Sequence, residues 1–177
     1  FEIGQLYSSI SGEFKIGAAN SKEYLYFKYD ILKNICNKEP SFIEGGFKEI
    51  YSKLYKCQNQ YRISTRVVNE LDFFRKKSKI EIINMLNEFS LSIFFLDDGH
   101  RSDNLWKICV ASFSKEDKDF FINYLHDKFG IHGYSNKDDR YICFRRPCSK
   151  IIDKIISENI DNKIDVVIDK LKMEVIK

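Results

Sequence analysis

The sequence predicts an α+β fold made of two pseudo-symmetric halves, and two observations lead to this prediction. Segments of alternating apolar and polar residues, typical of strands, are interspersed with longer segments that have helical spacing and recognisable ends. The order helix, strands, helix, strand, helix also occurs twice, in residues 1–78 and again in residues 80–177. Because no linker-like segment separates the repeats, we expect a single unit over residues 1–177.

The first repeat opens with a short apolar segment and then alternates between strands and helices. Ser21 is a suitable N-cap for its second helix, since a serine side chain accepts a hydrogen bond from the first turn. Pro40 and the Gly45-Gly46 pair break the chain before the next strand. The predicted elements are a helix at 1–8, a strand at 13–18, a helix at 21–36, a strand at 60–67 and a helix at about 69–76.

The second repeat begins with a long apolar segment that we interpret as a buried helix. Ser114 is the expected N-cap of its second helix, and Gly130 is placed to end that helix. The predicted elements are a helix at 80–96, a strand at 105–113, a helix at 114–129, a strand at 141–145 and a helix at 149–160.

Composition excludes several classes of protein. The chain has 177 residues, enough to bury one core, and no apolar run approaches the ~20 residues that a membrane span needs. Its five cysteines include no CxxC pair, which argues against a disulfide framework and a zinc ribbon and is typical of reduced thiols. We therefore expect an intracellular protein without a membrane partner. Its richness in Ile, Asn and Lys is typical of an AT-rich genome, so an organelle, a phage-infected cell and a bacterial cytoplasm all remain open.

Basic residues are clustered, although the net charge is only +3 from 29 basic and 26 acidic side chains. The first cluster lies at 75–79, and the second surrounds a strand that carries Tyr141 and Phe144. Each cluster alone is as typical of a solvated face as of a nucleic-acid contact. Together with the short hairpin that precedes the second cluster, the candidate nucleic-acid ligands are Arg75, Lys76, Lys79, Arg101, Lys107, Lys137, Arg140, Arg145 and Arg146.

Two adjacent carboxylates, Asp97 and Asp98, follow the apolar run at 91–96. If the apolar run is a helix, both carboxylates lie at its C-terminal end, where the helix dipole is negative. Each negative charge there costs a few tenths of a kcal/mol to about 1 kcal/mol. A divalent cation would compensate, and carboxylate, carbonyl and water oxygens are the ligands that Mg²⁺ prefers. A plain Asp-Asp-Gly turn that faces water is the alternative.

The segment LSIFFLDDG at 91–99 resembles the second motif of the LAGLIDADG homing endonucleases, a helix that ends in a run similar to L-A-x-W-F-M-D-D-G. The resemblance implies αββαββα-like halves with saddle-shaped antiparallel sheets, whose motif helices pack side by side in a pseudo-dimeric monomer. It also implies that Asp98 is the acid that holds Mg²⁺ near the scissile phosphates, with Asp97 as a second catalytic candidate.

The likeness extends over nearly the whole chain and is strongest in residues 86–131. The other segments that carry it are ASFS at 111–114, a helix at 115–128, FGI at 129–131, SKEYL at 21–25 and RIST at 62–65. In this family the two motif helices are neighbours. The helix around 91–96 is therefore expected to pack against residues 4–8, where the small residues Gly4 and Ser92 allow a close approach.

The first motif departs from the family pattern in its acid. The best register places SGEF at 11–14 where the family has D-G-S-F, so Ser11 replaces an aspartate, and an alternative register places Ser9 there. A hydroxyl is neutral, so the shared site would carry about one negative charge fewer to hold metals. Glu13 points the same way as Ser11 only if the strand is regular, and would then supply the missing acid.

Two further departures concern DNA recognition and the basic active-site residue. The family sends a long hairpin from each motif into the major groove, whereas the segment before Ser21 and the hairpin at 99–113 leave room for short strands only. The family's Lys-x-Ile-Pro segment is matched by Lys79 without the proline, which makes Lys79 the third catalytic candidate.

The histidines and the single Trp give weaker signals. His100 fits a metal or phosphate contact as well as a solvated loop, and His126 and His132 have no metal-ligand spacing. Trp106 lies among apolar strand residues and is predicted to pack in the core rather than to stack on a base.

Two functional hypotheses follow. In the first, the protein binds duplex DNA or structured RNA without needing a cofactor and has lost or weakened cleavage, as do relatives that act as maturases, regulators or components of ribonucleoprotein complexes. In the second, it is an active Mg²⁺-dependent endonuclease that cuts or nicks DNA through Asp98, assisted by Asp97 or Glu13. The replacement by Ser11 and the short hairpins favour the first. A third reading, an interaction protein without nucleic acid, requires both basic clusters to be incidental.

Both main hypotheses predict phosphate contacts by the basic clusters. Affinity should therefore fall steeply with salt. Charge reversal at Arg145 and Arg146 should weaken binding more than the same change at Lys170 and Lys172, which serve as controls.

Overall fold

The computed structural model describes residues 7–8, 14–18, 21–50, 53–57, 59–67, 74, 76–161 and 164–171. The chain divides into two compact units, Glu2–Asp72 and Phe73–Lys177, which we call the N-terminal unit and the C-terminal unit. Each contains a four-stranded antiparallel sheet together with helices, as predicted for an α+β fold. In the described part of the chain no helix is both long and apolar enough to cross a bilayer.

The N-terminal unit consists of short strands and one long helix in its described residues. Its elements are β1 (Tyr7–Ser8), β2 (Phe14–Ala18), α1 (Lys22–Leu32), a 3₁₀ turn (Lys33–Ile35), β3 (Ser41–Ile43), β4 (Gly46–Ile50), β5 (Lys53–Cys57) and β6 (Gln60–Ser64). The four-stranded sheet has the order β1-β2-β6-β3. Leu25 of α1 and Ile63 of β6 are buried against each other and form the core of this unit.

Most elements predicted for the first repeat are confirmed. The strands at 13–18 and 60–67 are present, and the helix at 21–36 continues as a 3₁₀ turn after Leu32. Tyr7–Ser8 pairs with β2 as a strand, so the helix predicted at 1–8 is wrong at these two residues. Its other residues, and most of the helix predicted at 69–76, lie outside the described part of the chain.

Strands β3, β4 and β5 have no clear sequence signal. β3 has three residues, and β4 and β5 form a separate hairpin in which Gly46 pairs with Cys57 and Ile50 with Lys53. Proline and paired glycines are typical of loops, but here Gly46 begins a strand with a φ of +128°, a conformation open to glycine. The unit therefore has a second hairpin that the sequence pattern does not indicate.

The C-terminal unit repeats the strand order of the N-terminal unit. Its elements are α2 (Lys79–Ile83), α3 (Glu88–Asp98), β7 (Gly99–Ser102), β8 (Leu105–Cys109), α4 (Lys115–Phe129), β9 (Gly133–Ser135), β10 (Tyr141–Phe144), α5 (Arg146–Asn159) and α6 (Asp165–Leu171). The sheet order β7-β8-β10-β9 matches β1-β2-β6-β3 strand for strand. This match confirms the prediction of pseudo-symmetric halves.

The predicted ends of α4 are also confirmed. The hydroxyl oxygen of Ser114 accepts a hydrogen bond from the backbone N–H of Asp117 at 3.1 Å. Gly130 ends the helix in the left-handed conformation with a φ of 68°, and its N–H donates to the carbonyl of His126. Serine at the start and glycine just past the end are therefore reliable signals here.

The single long helix predicted at 80–96 is wrong, because the segment forms two helices. Asn87 interrupts it by capping α3: its side-chain oxygen accepts from the N–H of Ser90 at 2.9 Å, and the Ser90 hydroxyl accepts from the N–H of Asn87 at 2.9 Å. Asparagine is among the best N-cap residues and a poor residue inside a helix. The apolar spacing on both sides of Asn87 concealed this break.

The apolar residues of α3 form the centre of the C-terminal core. Phe95 is fully buried and its ring lies 5.5 Å from that of Trp106 and 5.4 Å from that of Phe144. On the neighbouring side, Phe94 contacts Phe121 of α4 with ring centres 5.7 Å apart. Trp106 is completely buried, so the prediction that it packs in the core is confirmed.

Candidate nucleic-acid interface and acidic helix end

Asp97 and Asp98 are the last two residues of helix α3, and both are half-buried. Gly99 caps the helix and donates its N–H to the carbonyl of Phe95. A Cβ on Gly99 would lie 2.3 Å from that carbonyl oxygen and 3.0 Å from Cζ3 of Trp106, so only glycine fits without a shift. The acidic turn is therefore built directly onto the aromatic core.

A positive side chain does lie at this helix end, and it is Lys170 of α6. Its ammonium donates to the carbonyl oxygens of Leu96 at 2.6 Å, Gly99 at 2.7 Å and Phe95 at 3.3 Å. We expected a divalent cation to compensate the helix dipole here, and the ammonium group of Lys170 supplies positive charge at that place. Lys170 is consequently unsuitable as a surface control for charge reversal.

The donor set at this end fits a magnesium ion only in part. Among the described residues, no group of three or more His, Cys, Asp or Glu side chains is arranged to hold a metal. Mg²⁺ commonly uses one or two carboxylates and completes its shell with water and substrate phosphates. Asp98 and Asp97 fit that kind of half-site, while Ser11 and Glu13, expected from the first motif, lie outside the described residues.

Arg101, one of the predicted nucleic-acid ligands, is held inside the C-terminal unit. Its side chain is almost completely buried and pairs with Asp153 of α5 at 2.9 Å. It also donates to the carbonyls of Lys170 at 3.1 Å and Leu171 at 3.0 Å, at the end of α6. Trp106 donates its indole N–H to the other oxygen of Asp153 at 2.8 Å. This network joins α5, α6 and the sheet.

Lys79 also makes its contacts within the C-terminal unit. Its ammonium meets the carbonyl of Ser112, lies 3.8 Å from the carboxylate of Asp117 and lies 5.0 Å from the ring centre of Phe113. These contacts join the start of α2 to the segment that precedes α4. The catalytic role and the phosphate contact expected of Lys79 stay predictions.

One face of the C-terminal sheet is open and carries polar and aromatic side chains. Along β8 and β10 the residues alternate, and the buried ones are Trp106, Ile108, Ile142 and Phe144. On the other face, a row of paired residues crosses all four strands: His100, Lys107, Cys143 and Tyr134. The ammonium of Lys107 lies 5.2 Å from the ring centre of Tyr141, and burial raises the pKa of the Cys143 thiol although nearby Lys107 lowers it.

Exposed basic side chains flank this open face at both ends of β10. We call them the basic rim, and they are Lys137, Arg140, Arg145 and Arg146. Arg145 is the N-cap of α5 and makes no side-chain capping bond, and Arg146 is the first residue of the helix. Of the remaining predicted ligands, Lys76 is exposed and Arg75 lies outside the described residues.

The turn that presents Lys137 and Arg140 is fixed by a residue that sequence reasoning missed. Lys118 of α4 is buried, and its ammonium donates to the carbonyl of Asp139 at 2.6 Å and to the Asp139 carboxylate at 2.5 Å. Asn136 accepts from the backbone N–H of Arg140 at 3.1 Å. A lysine within a charged helix carries no local signal of burial, so only the tertiary contact reveals this role.

Comparisons with known proteins agree with this architecture. A sequence model of the LAGLIDADG DNA endonuclease family matches residues 6–150. The homing endonuclease I-WcaI bound to its DNA recognition sequence is similar with a TM-score of 0.72 and 17% identity, covering 96% of this chain and 81% of that chain. A search of curated proteins finds no match.

Two further solved structures share the fold at low identity. Full-length DUF199/WhiA from Thermatoga maritima has a TM-score of 0.53 and 11% identity, and the match covers 94% of this chain and 54% of that chain. I-DmoI in complex with DNA and Mn has a TM-score of 0.50 and 14% identity, with 85% of each chain covered. Such identities show a common fold only, whereas the sequence match over residues 6–150 shows the family. The chain belongs to the LAGLIDADG DNA endonuclease family.

Proposed function

We propose that the protein binds duplex DNA through the open face and the basic rim of its C-terminal sheet, and that its cleavage activity is lost or impaired. The observation that carries the proposal is the placement of exposed arginines at both ends of β10. Arg140 and Arg145 are five positions apart, roughly 17 Å along an extended strand. That span exceeds the ~12 Å width of the major groove and suits contacts to both phosphate backbones.

The open face supplies side chains suited to the groove between those backbones. Phosphate contacts position a protein on DNA, and contacts to base edges specify sequence. Lys107 of β8, with Tyr141 beneath its ammonium, and the exposed ring of Tyr134 of β9 point away from the core on the two strands that flank β10. A twisted antiparallel sheet is one of the structures that enter a major groove.

Two features support impaired cleavage. The first motif has Ser11 where the family has an acid, so one carboxylate of the paired site is missing. Lys79, the basic candidate, is engaged by the loop before α4.

Duplex DNA is favoured over structured RNA because I-WcaI and I-DmoI are described in complexes with DNA. Membership of a ribonucleoprotein complex, which was one of our expectations, has no support in these comparisons.

The second candidate is an active endonuclease, and the intact second motif favours it. Asp98 retains the position of the family's metal-binding acid, with Asp97 beside it. These two residues would hold Mg²⁺, which in such sites lowers the pKa of a bound water and stabilises the leaving oxygen. This activity requires Asp98 to suffice without a carboxylate at position 11.

One experiment distinguishes the two candidates. A duplex ligand is first selected from a random-sequence library by binding in metal-free buffer, and the selected site is then placed in a plasmid. We expect affinity for the duplex to fall ~100-fold between 50 and 200 mM salt, as about four phosphate contacts require. With Mg²⁺ or Mn²⁺ we expect no linearisation by the wild-type protein and at most nicking, which Asp98→Asn removes.

Ser11→Asp is the matched gain-of-function variant for this assay. Cleavage that appears only in Ser11→Asp would show that the missing acid is the defect. Robust linearisation by the wild-type protein would contradict impaired cleavage and favour the endonuclease. Affinity that is indifferent to salt would contradict nucleic-acid binding itself and favour a protein partner.

A further inference from the structure

We propose that Lys170 is a positioning residue for the acidic turn: an ammonium group, delivered by the C-terminal helix, that holds Asp97 and Asp98 in the geometry needed to bind a divalent cation. The proposal rests on the proposed function in one respect, namely that the acidic turn is the family's metal site. It adds that α6 is part of that site.

Lys170 contacts backbone carbonyls on both sides of the two acids. The carbonyls of Phe95 and Leu96 belong to the last turn of α3, and the carbonyl of Gly99 follows the two acids. One ammonium thus joins the backbone before and after Asp97 and Asp98. The last carbonyls of a helix have no partner within it, and a cation there is favoured by the helix dipole.

Lys170 is itself held in place through its backbone. Arg101 donates to the carbonyls of Lys170 and Leu171, which end α6. Arg101 is in turn fixed by Asp153, and the same carboxylate accepts from Trp106. A lysine that served only solubility would not require a buried arginine to fix its backbone.

The single Trp of the chain, Trp106, lies close to the same turn. Phe95 and Trp106 have ring centres 5.5 Å apart, and the ammonium of Lys170 lies 6.0 Å from the Trp106 ring. Gly99 is packed against that ring, as its Cβ position shows. Trp106 therefore reports on a cation bound at the acidic turn.

The test is a titration with terbium ions, whose luminescence is sensitised by energy transfer from a nearby Trp. Because Trp106 is the single Trp of the chain, excitation at the red edge of Trp absorption selects it. We expect the wild-type protein to bind Tb³⁺ and Asp98→Asn to lose most of the signal. Lys170→Met should weaken Tb³⁺ binding about tenfold through loss of the pre-organised turn.

Lys170→Arg keeps the charge and is expected to bind Tb³⁺ within about threefold of the wild type. Lys154→Met is the matched control, since Lys154 is an exposed lysine of α5, and it should leave Tb³⁺ binding unchanged. Circular dichroism of each variant verifies folding. If Lys170→Met does not fold, Lys170→Arg decides alone, and a loss of the signal in that folded variant would overturn the proposal.

Three results of the Tb³⁺ titration would overturn the proposal. If Lys170 only repelled cations, Lys170→Met would bind Tb³⁺ more tightly, which would overturn the proposal. Unchanged binding in Lys170→Met, or the absence of a wild-type signal, would overturn it as well. The titration contains no nucleic acid, so failure of DNA binding would refute the proposed function and leave this measurement intact.

Discussion

Gly99 shows at the scale of one residue how the acidic turn depends on close packing. The position has no room for a side chain, because the carbonyl of Phe95 and the ring of Trp106 occupy it. Both neighbours are fully buried and cannot move away easily. Steric exclusion of any side chain therefore explains why this chain has glycine at that position of the motif.

We predict that Gly99→Ala lowers the free energy of unfolding by about 1–3 kcal/mol, the usual cost of forcing extra volume into a packed site. His100→Ala at the next, exposed position should change it by less than about 0.5 kcal/mol. Urea unfolding of both variants measures the difference. Equal effects would show that the turn tolerates a side chain.

Glu81 gives a residue-scale prediction about pH. The backbone N–H of Ser78, followed by its hydroxyl and then Lys77, holds the pKa of Glu81 below its ordinary value of 4.5. A lowered pKa in the folded state stabilises the protein above the ordinary value, and this contribution is lost as the pH falls below it. Glu81→Gln should therefore flatten the decline in stability below about pH 4.5.

The measurement for Glu81 is the urea midpoint between pH 6 and pH 3. Glu158→Gln is the control, since Glu158 forms an exposed i,i+4 pair with Lys154 and caps no helix N-terminus. If both variants followed the wild-type curve, the hydrogen bonds between Ser78 and Glu81 would contribute no stability that depends on pH.

Local sequence signals predicted the roles of single cap residues well, but they did not predict contacts between residues that are far apart in the sequence. Ser21, Ser114 and Gly130 were identified because each acts within its own helix end. Lys170 meets α3 across 74 positions of sequence, and Arg101 meets α6 across 69. No pattern in one sequence indicates which lysine or arginine will make such a contact.

At the scale of elements, the division of the predicted helix at 80–96 has a structural consequence. The cap at Asn87 allows α3 to begin anew, so that it can bury Leu91, Phe94 and Phe95 and end at the two acids. Hydrophobic spacing alone could not indicate this division, because apolar residues continue on both sides of it. Cap residues inside an apolar run are the better signal.

The turn between β9 and β10 is the element whose order decides the shape of the basic rim. Lys118 fixes Asp139, which has a left-handed φ of 53°, and Asn136 receives the N–H groups of Arg140 and Tyr141. A turn held in this way leaves the backbone at Arg140 little conformational freedom. Pre-ordering of a contact residue reduces the entropy lost on binding.

We predict that Lys118→Met loosens this turn and weakens duplex binding by about 2- to 10-fold, which corresponds to about 0.5–1.5 kcal/mol for one side chain that must be ordered on binding. Amide hydrogen exchange at 136–141 should accelerate. Lys115→Met, an exposed change of the same charge on the same helix, should do neither. Equal loss of affinity in both variants would indicate a general effect of charge instead.

At the scale of the whole molecule, the repeat was the most predictable feature. The twofold order of elements in the sequence corresponds to the common strand order of the two sheets, although β4 and β5 of the N-terminal unit have no counterpart among the described residues of the C-terminal unit. Tertiary pairing of short strands is weakly encoded, since three to five residues carry little periodicity. The packing of 91–96 against 4–8 stays a prediction, because Gly4 lies outside the described residues.

The central claim is that DNA is bound at the basic rim of the C-terminal sheet. It is tested most directly by measuring duplex affinity at several salt concentrations for Arg145→Glu/Arg146→Glu and for a control of equal charge change, Lys128→Glu/Lys154→Glu, on exposed helix positions. We expect the rim variant to bind ~100-fold more weakly, with the slope against log salt reduced by about two, and the control to lose less than about threefold. Equal losses in the two variants, or a slope unchanged in the rim variant, would contradict this interface.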